Sequence, residues 1–196
     1  MYNQSLCAMT GFYMGSVSLT DEMTNRAECF VYGQSDSAEY RVENRAAPNV
    51  EKASRDDVLG KEGEEGFKII AEAYGLDVGE IDYERREGSK KGWKPDFVYG
   101  GDLIHVKTVE PWGDEYLVSW SFSKNESGER KGTDPLFYKG TAKDWVALCV
   151  KWHSKIYLAG FLNWEQAKDY FAPPRRLEKR PFKSCLYFKD LKRAYL

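Results

Sequence analysis

The chain has 196 residues, with 29 Lys and Arg against 31 Asp and Glu and a formal net charge of −2. That length fits one medium domain, and 42% apolar with 15% aromatic residues supplies a real core, which excludes a disordered chain. No global basic field advertises nucleic acid, but the charge is uneven: nine acids face five bases in residues 1 to 60, and eight bases face two acids in residues 173 to 196.

Cys7, Cys29, Cys149 and Cys185 lie far apart without metal-ligand spacing, so they read as free thiols of a reducing compartment rather than a zinc site. The segment "MYNQSLCAMTGFYMGSVSL" lacks the basic region of a signal peptide, and no apolar stretch approaches membrane-spanning length. The expectation is a soluble cytoplasmic protein with no membrane partner, in a host cytoplasm if it is phage-encoded.

Residues 1 to 34 show no clear period, although "ECFVYG" reads as a short strand, and residues 35 to 57 read as a charged connector. A helix is predicted from Ser54, with Asp57 in the capping-box position. Leu59, Gly63, Phe67, Ile70 and Tyr74 recur at helical spacing, and Gly75 supplies the stop. Gly60, Gly63 and Gly66 weaken this helix but permit close approach to a sheet. "EIDYERRE" reads as a strand and "GSKKGWK" as a basic loop. Two strands then meet at Gly100-Gly101 in a tight hairpin.

"YLVSWSF" (116 to 122) alternates, with Tyr116, Val118, Trp120 and Phe122 on one face and Ser119 and Ser121 on the other. "DWVALCVKW" and "KIYLAGFL" form a second hairpin across His153-Ser154. Asn163 caps a short helix through Phe171, with Gln166 in the capping-box position, and Pro173-Pro174 ends it. "CLYFKDL" is a last strand or a docking tail.

The first hairpin concentrates the chemistry. A two-residue turn makes Tyr99 oppose Asp102, Val98 oppose Leu103, Phe97 oppose Ile104 and Asp96 oppose His105. Side chains alternate, so His105 and Lys107 share a face, and Asp96 joins them from across the ladder. Ile104, Val106 and Thr108 point the other way. The preceding helix carries Glu62, Glu64 and Glu65. Each taken singly reads as a solvated helix acid, but Glu62 and Glu64 border the apolar stripe and could lend a carboxylate to the polar spot.

The order "GKEGEEGF", "IDYERRE", "PDFVYGG", "LIHVKT" resembles the PD-(D/E)XK nuclease superfamily. The string Gly60, Gly63, Glu64, Phe67 is similar to the helix signature of phage and recombination nucleases within it. The likeness covers residues 54 to 124. The triplet departs from the pattern, reading His105-Val106-Lys107 where an acid would stand first. The resemblance implies an α/β fold: a restriction-endonuclease-like αβββαβ core, its mixed central sheet flanked by helices, with an added N-terminal segment and a sheet extension. It divides the chain into an N-terminal extension (1–53), a nuclease core (54–172) and a basic C-terminal tail (173–196).

The function implied is metal-dependent hydrolysis of phosphodiester bonds, with DNA as partner. The resemblance makes Asp96 the principal ligand of Mg²⁺ or Mn²⁺, with His105, the Val106 carbonyl and Glu64 completing the set. His105 would favour Mn²⁺ over Mg²⁺. Lys107 would orient the attacking water or stabilise phosphorane charge. Lys90, Lys91, Lys94, Ser121, Lys124, Arg175, Arg176 and Arg180, with Lys179 and Lys183, are candidates to contact nucleic acid, and Trp93 and Trp112 to stack on bases. Other readings remain: a non-catalytic nucleic-acid-binding protein on the same fold, an RNA-directed nuclease, or an interaction domain.

Overall fold

Two short polar side chains start the helices of the first half. Thr20 accepts the backbone N–H of Met23, and Asn49 accepts that of Lys52. Each satisfies a donor that the first helical turn would leave orphaned, and so begins α1 (Asp21–Tyr32) and α2 (Val50–Ala73). The computed structural model describes residues 6, 9, 11–33, 49–84, 94–111, 118–124, 134–174 and 183–193.

Helix α2 therefore begins at Val50 and not at Ser54, which lies buried inside it. Its end is as expected: Gly75 takes φ +78°, the Gly75 N–H donates to Glu72 and the Leu76 N–H to Ala71. "ECFVYG" is not a strand, since Glu28 through Tyr32 belong to α1. Met23, Ala27 and Val31 recur at helical spacing and are buried, and α1 lies against α2; this outweighs the strand propensity of Phe-Val-Tyr.

The remaining elements are β1 (Gly11–Ser18), β2 (Phe97–Tyr99), β3 (Asp102–Val109), β4 (Ser119–Ser123), α3 (Leu136–Lys139), β5 (Asp144–Trp152), β6 (Lys155–Asn163), α4 (Trp164–Lys168), β7 (Lys183–Tyr187) and α5 (Phe188–Arg193). Five strands form a mixed sheet in the order β1-β6-β5-β3-β2, with β3 and β5 parallel and the other neighbours antiparallel. Strands β4 and β7 form a second, two-stranded sheet. This is an α/β fold with a mixed central sheet flanked by helices.

Strands β5 and β6 turn at His153-Ser154 as expected, with Trp152 opposite Lys155 and His153 at φ +54°. Trp120 and Phe122 are buried while Ser121 is exposed, matching the predicted alternation. Asn163 does cap α4, although the α-helix ends at Lys168. Strand β1 is irregular: its register against β6 shifts between Phe12 and Gly15, with Tyr13 at φ +51° and Gly15 at φ +140°.

The expected strand "EIDYERRE" does not form over residues 80–84, and residues 85–87 lie outside the described part. Side chains tie this stretch to α2 instead of a ladder: the Tyr83 hydroxyl donates to Glu65, and Lys68 pairs with Glu80.

One core fills the space between the large sheet and α2. Phe67 stacks on Phe161 at 5.9 Å, and Trp145 stacks on Phe161 at 5.2 Å; such aromatic pairs contribute about 0.5–1.5 kcal/mol each beyond area burial. A second core covers the opposite sheet face, where Phe122, Phe137, Trp164 and Phe171 meet beneath β4, β7 and the short helices.

The expected boundaries at 53/54 and 172/173 do not divide the fold. The first falls inside α2, and β1 completes the large sheet. Beyond the second, β7 pairs with β4 and buries Leu186, with Leu191 of α5 buried nearby. Among the described residues, no helix is long and apolar enough to cross a membrane.

The three helix glycines are not equivalent. A β-carbon on Gly66 would lie 2.5 Å from Ile156, and one on Gly63 would lie 2.8 Å from the Thr108 β-carbon and closer still to its hydroxyl. Gly60 has nothing within 4 Å. Gly60→Ala is expected to raise stability by up to ~1 kcal/mol through helix propensity. Gly66→Ala is expected to cost roughly 1–3 kcal/mol by overpacking. Denaturant midpoints of the two variants measure the contrast, and equal shifts would refute the close approach.

Candidate active site

The Gly100-Gly101 turn has both φ angles positive, at +59° and +87°. This is the backbone of a two-residue hairpin, and it sets the register. Tyr99 opposes Asp102, Val98 opposes Leu103 and Phe97 opposes Ile104, as the turn requires. The regular ladder stops there. The Asp96 N–H still donates to the Ile104 carbonyl at 2.9 Å, but the chain bends, and Asp96 Oδ2 accepts the Val106 N–H at 2.6 Å. A carboxylate thus satisfies the β3 edge where another strand residue would have done so. Ile104 and Val106 both direct backbone groups to this edge, so the Val106 carbonyl lies along it as well.

The two faces of β3 carry different partners. Ile104 and Val106 face α2 in the first core, and Thr108 abuts Gly63. His105 and Lys107 face the second core. His105 is buried, with Nε2 2.8 Å from Oδ1 of Asp144 on β5. Asp144 Oδ2 accepts both the backbone N–H and the hydroxyl of Thr141. Lys107 Nζ lies 2.8 Å from Asp134 Oδ2 and 5.6 Å from the centre of the Phe122 ring.

The expectation that α2 faces His105 and Lys107 is therefore corrected, because the helix covers the opposite face. Asp96, at the strand margin, is the group through which the two faces sense each other.

Nor are the helix acids a solvated face. Glu62, Glu64 and Glu65 are 1%, 7% and 5% exposed. Glu62 pairs with Lys151 of β5. Glu65 accepts from Arg26 Nε at 2.8 Å and from the Tyr83 hydroxyl at 2.7 Å, and these contacts help raise the Arg26 pKa further. Glu64 Oε2 is 2.6 Å from Lys61 Nζ, which also donates to the Asp82 carbonyl. Burial, then the charge of Asp96, push the Glu64 pKa up to about 8 against the pull of Lys61. Burial likewise raises the Asp96 carboxyl, offset by the Val106 N–H and then by the charges of Lys107, His105 and Lys61.

The charge of the half-buried Asp96 thus disfavours that of the buried Glu64. The chemistry of that donor set fits a hard divalent cation, since Mg²⁺ ordinarily takes one or two carboxylates and completes its shell with water and phosphate oxygens. Among the described residues no group of three or more His, Cys, Asp or Glu is arranged to hold a metal. His105 Nε2 lies against Asp144 Oδ1 rather than at this pair of carboxylates.

Sequence reasoning missed Lys61, Asp134 and Asp144. Lys61 lies one helical turn before Glu64, a spacing that marks an ion pair. Asp134 precedes a proline, a common turn signal. Asp144 carries no signal of its own.

Of the candidate nucleic-acid contacts, Lys94, Ser121 and Lys124 are exposed, and Lys183 begins β7. Lys90, Lys91, Trp93, Trp112, Arg175, Arg176, Lys179 and Arg180 lie outside the described residues.

The Glu64 shift carries a stability consequence. The unfolded carboxyl loses its proton near 4.5 and the folded one near 8, so between these values the folded state binds more protons. Stability should therefore fall as pH rises through that window. Glu64→Gln removes this contribution, and its thermal midpoint should decline less steeply than the parent's from pH 5 to pH 8. Parallel melting curves for the two proteins would refute the shift.

No protein-family model, no curated protein and no solved structure matches this chain.

Proposed function

We propose that the chain is a metal-dependent nuclease that hydrolyses phosphodiester bonds of DNA, on a restriction-endonuclease-like core. The observation that carries the reading is the Asp96 carboxylate at the open end of the β2–β3 hairpin, fixed by the Val106 N–H at 2.6 Å, with Lys107 of β3 held by Asp134 and the Glu64 carboxyl of α2 pushed up by burial and then by the charge of Asp96. The order of α2, the hairpin and β5 returning parallel to β3 supports the core, although residues 80–84 do not form the strand that the superfamily implies between helix and hairpin.

In this reading Asp96 and Glu64 hold Mg²⁺ or Mn²⁺ beside the Val106 carbonyl. A divalent cation, when bound, supplies Lewis-acid stabilisation of phosphoryl oxygens and an acidified water. Asp96 is oriented by the Val106 N–H, which fixes one of its carboxylate oxygens. Lys61 donates to Glu64 Oε2 and offsets part of the cost of its charged form. Lys107 offers its ammonium to the negative charge that builds on the phosphate. His105, held by Asp144, seats β3 against β5 in this reading. Lys94, Ser121 and Lys124, together with Lys90, Lys91, Arg175, Arg176 and Arg180, contact the nucleic-acid backbone.

A second reading, nucleic-acid binding without cleavage on the same fold, is favoured by one observation: the residue at the acid's place in the triplet is a histidine committed to Asp144.

Incubation with single- and double-stranded DNA and with RNA, in Mg²⁺, Mn²⁺ or chelator, separates the readings. DNA cleavage that needs a divalent ion and is lost in Asp96→Ala and Lys107→Ala, with both variants melting as the parent does, is the expected result. Binding without cleavage would favour the second reading, preferential cleavage of RNA would move the substrate, and neither binding nor cleavage would sink the nuclease proposal.

A further inference from the structure

Lys107 is held in place by a segment remote from its own hairpin. Its ammonium lies 2.8 Å from Asp134 Oδ2 and over the face of Phe122. Asp134 is itself fixed three ways. Its N–H donates to the Ser123 carbonyl at the end of β4, at 2.6 Å. Its Oδ1 accepts the Leu136 N–H at 3.1 Å, at the entry to α3. Pro135 follows it and confines Asp134 to extended backbone. The side chain thus uses one oxygen to start α3 and the other to grip the lysine.

The arrangement makes sense for an ammonium that must not wander. A lysine has a flexible four-carbon stem, and a point charge on it is useful at a reacting phosphate only when its position is set. The Phe122 ring closes one side of the ammonium, and the Asp134 carboxylate closes another.

We propose that Asp134 is the positioning residue of Lys107: anchored to the end of β4 and the start of α3, it holds the ammonium against the face of the Phe122 ring. The proposal rests on the nuclease reading for its consequence, and on the Asp134–Lys107 contact for its substance. Asp134 touches no substrate and acts only through Lys107.

Asp134→Asn separates the two duties of the side chain. The amide oxygen still accepts the Leu136 N–H, while the amide nitrogen, a donor, meets the lysine's own donors and cannot hold them. Cleavage kinetics on double-stranded DNA with Mn²⁺ would be compared for the parent, Asp134→Asn, Lys107→Ala and the double variant. The expected result is a kcat lowered about ten- to a hundredfold in Asp134→Asn, with KM within about twofold and the melting temperature unchanged. In the Lys107→Ala background the same change should add no further loss. A parental kcat in Asp134→Asn, or a loss that multiplies independently of Lys107, would overturn the proposal.

A second measurement works without turnover. In the proton–nitrogen spectrum, the Lys107 ammonium should exchange slowly in the parent and vanish into fast exchange in Asp134→Asn. If the parent cleaves nothing, the nuclease reading fails and this spectrum alone decides the positioning: a Lys107 signal that Asp134→Asn leaves unchanged would refute it.

Discussion

The close seating of α2 on the sheet at Gly63 and Gly66 is the constraint from which the rest of the arrangement follows. Thr108 and Ile156 occupy the space that β-carbons would need, so the helix lies nearer to β3 and β6 than side chains would ordinarily allow. That nearness buries the middle of the helix, and the middle carries three acids. A buried carboxylate is costly unless it finds a partner or keeps its proton. Each acid has drawn a cation from a different place: Glu62 from β5, Glu64 from its own helix and Glu65 from α1. The ion pairs therefore do the work of ties between layers. The same logic accounts for residues 80–84, which Tyr83, Lys61 and Lys68 hold to the helix through side chains and one carbonyl.

Strand β3 stands between two environments. Toward α2 it offers apolar groups and Thr108; toward the second core it offers His105 and Lys107, each braced by an aspartate from a later part of the chain. Asp134 comes from the connection that carries the chain from β3 to the parallel β5, and Asp144 opens β5 itself, so the crossover and the strand it leads to supply the acids that hold the polar residues of β3. At the margin, just before β2 begins, the Asp96 carboxylate stands in the fields of both sides.

The legible part of this was local. Two glycines in succession leave one tight turn, and that turn dictates every pairing in the β2–β3 hairpin. The approach of α2 could be read from Gly63 and Gly66, and its end from Gly75. What escaped depends on distant partners. Alternation says that His105 and Lys107 share a face, but not which element covers it, and so α2 was expected on the wrong side. The acids of α2 looked solvated because Arg26 and Lys151, which make their burial tolerable, lie far away in sequence. The cap at Asn49 sat in a polar stretch that reads as connector. The stretch "CLYFKDL" reads as a last strand or a docking tail, and both readings hold in part: β7 takes its first three residues and α5 the rest.

The irregular β1 bears on the protein's life among other molecules. It ends the row of described strands, and the end of a row presents backbone groups to which a foreign strand could add. Tyr13 and Gly15 interrupt that presentation: the register slips, and a tyrosine with 62% of its surface exposed is held in a left-handed conformation. Such a residue costs on the order of 1 kcal/mol or more, and the large sheet gains in exchange an edge with no even row of donors and acceptors. The irregularity at residues 13 to 15 thus breaks the even spacing of backbone groups at this end of the described strands.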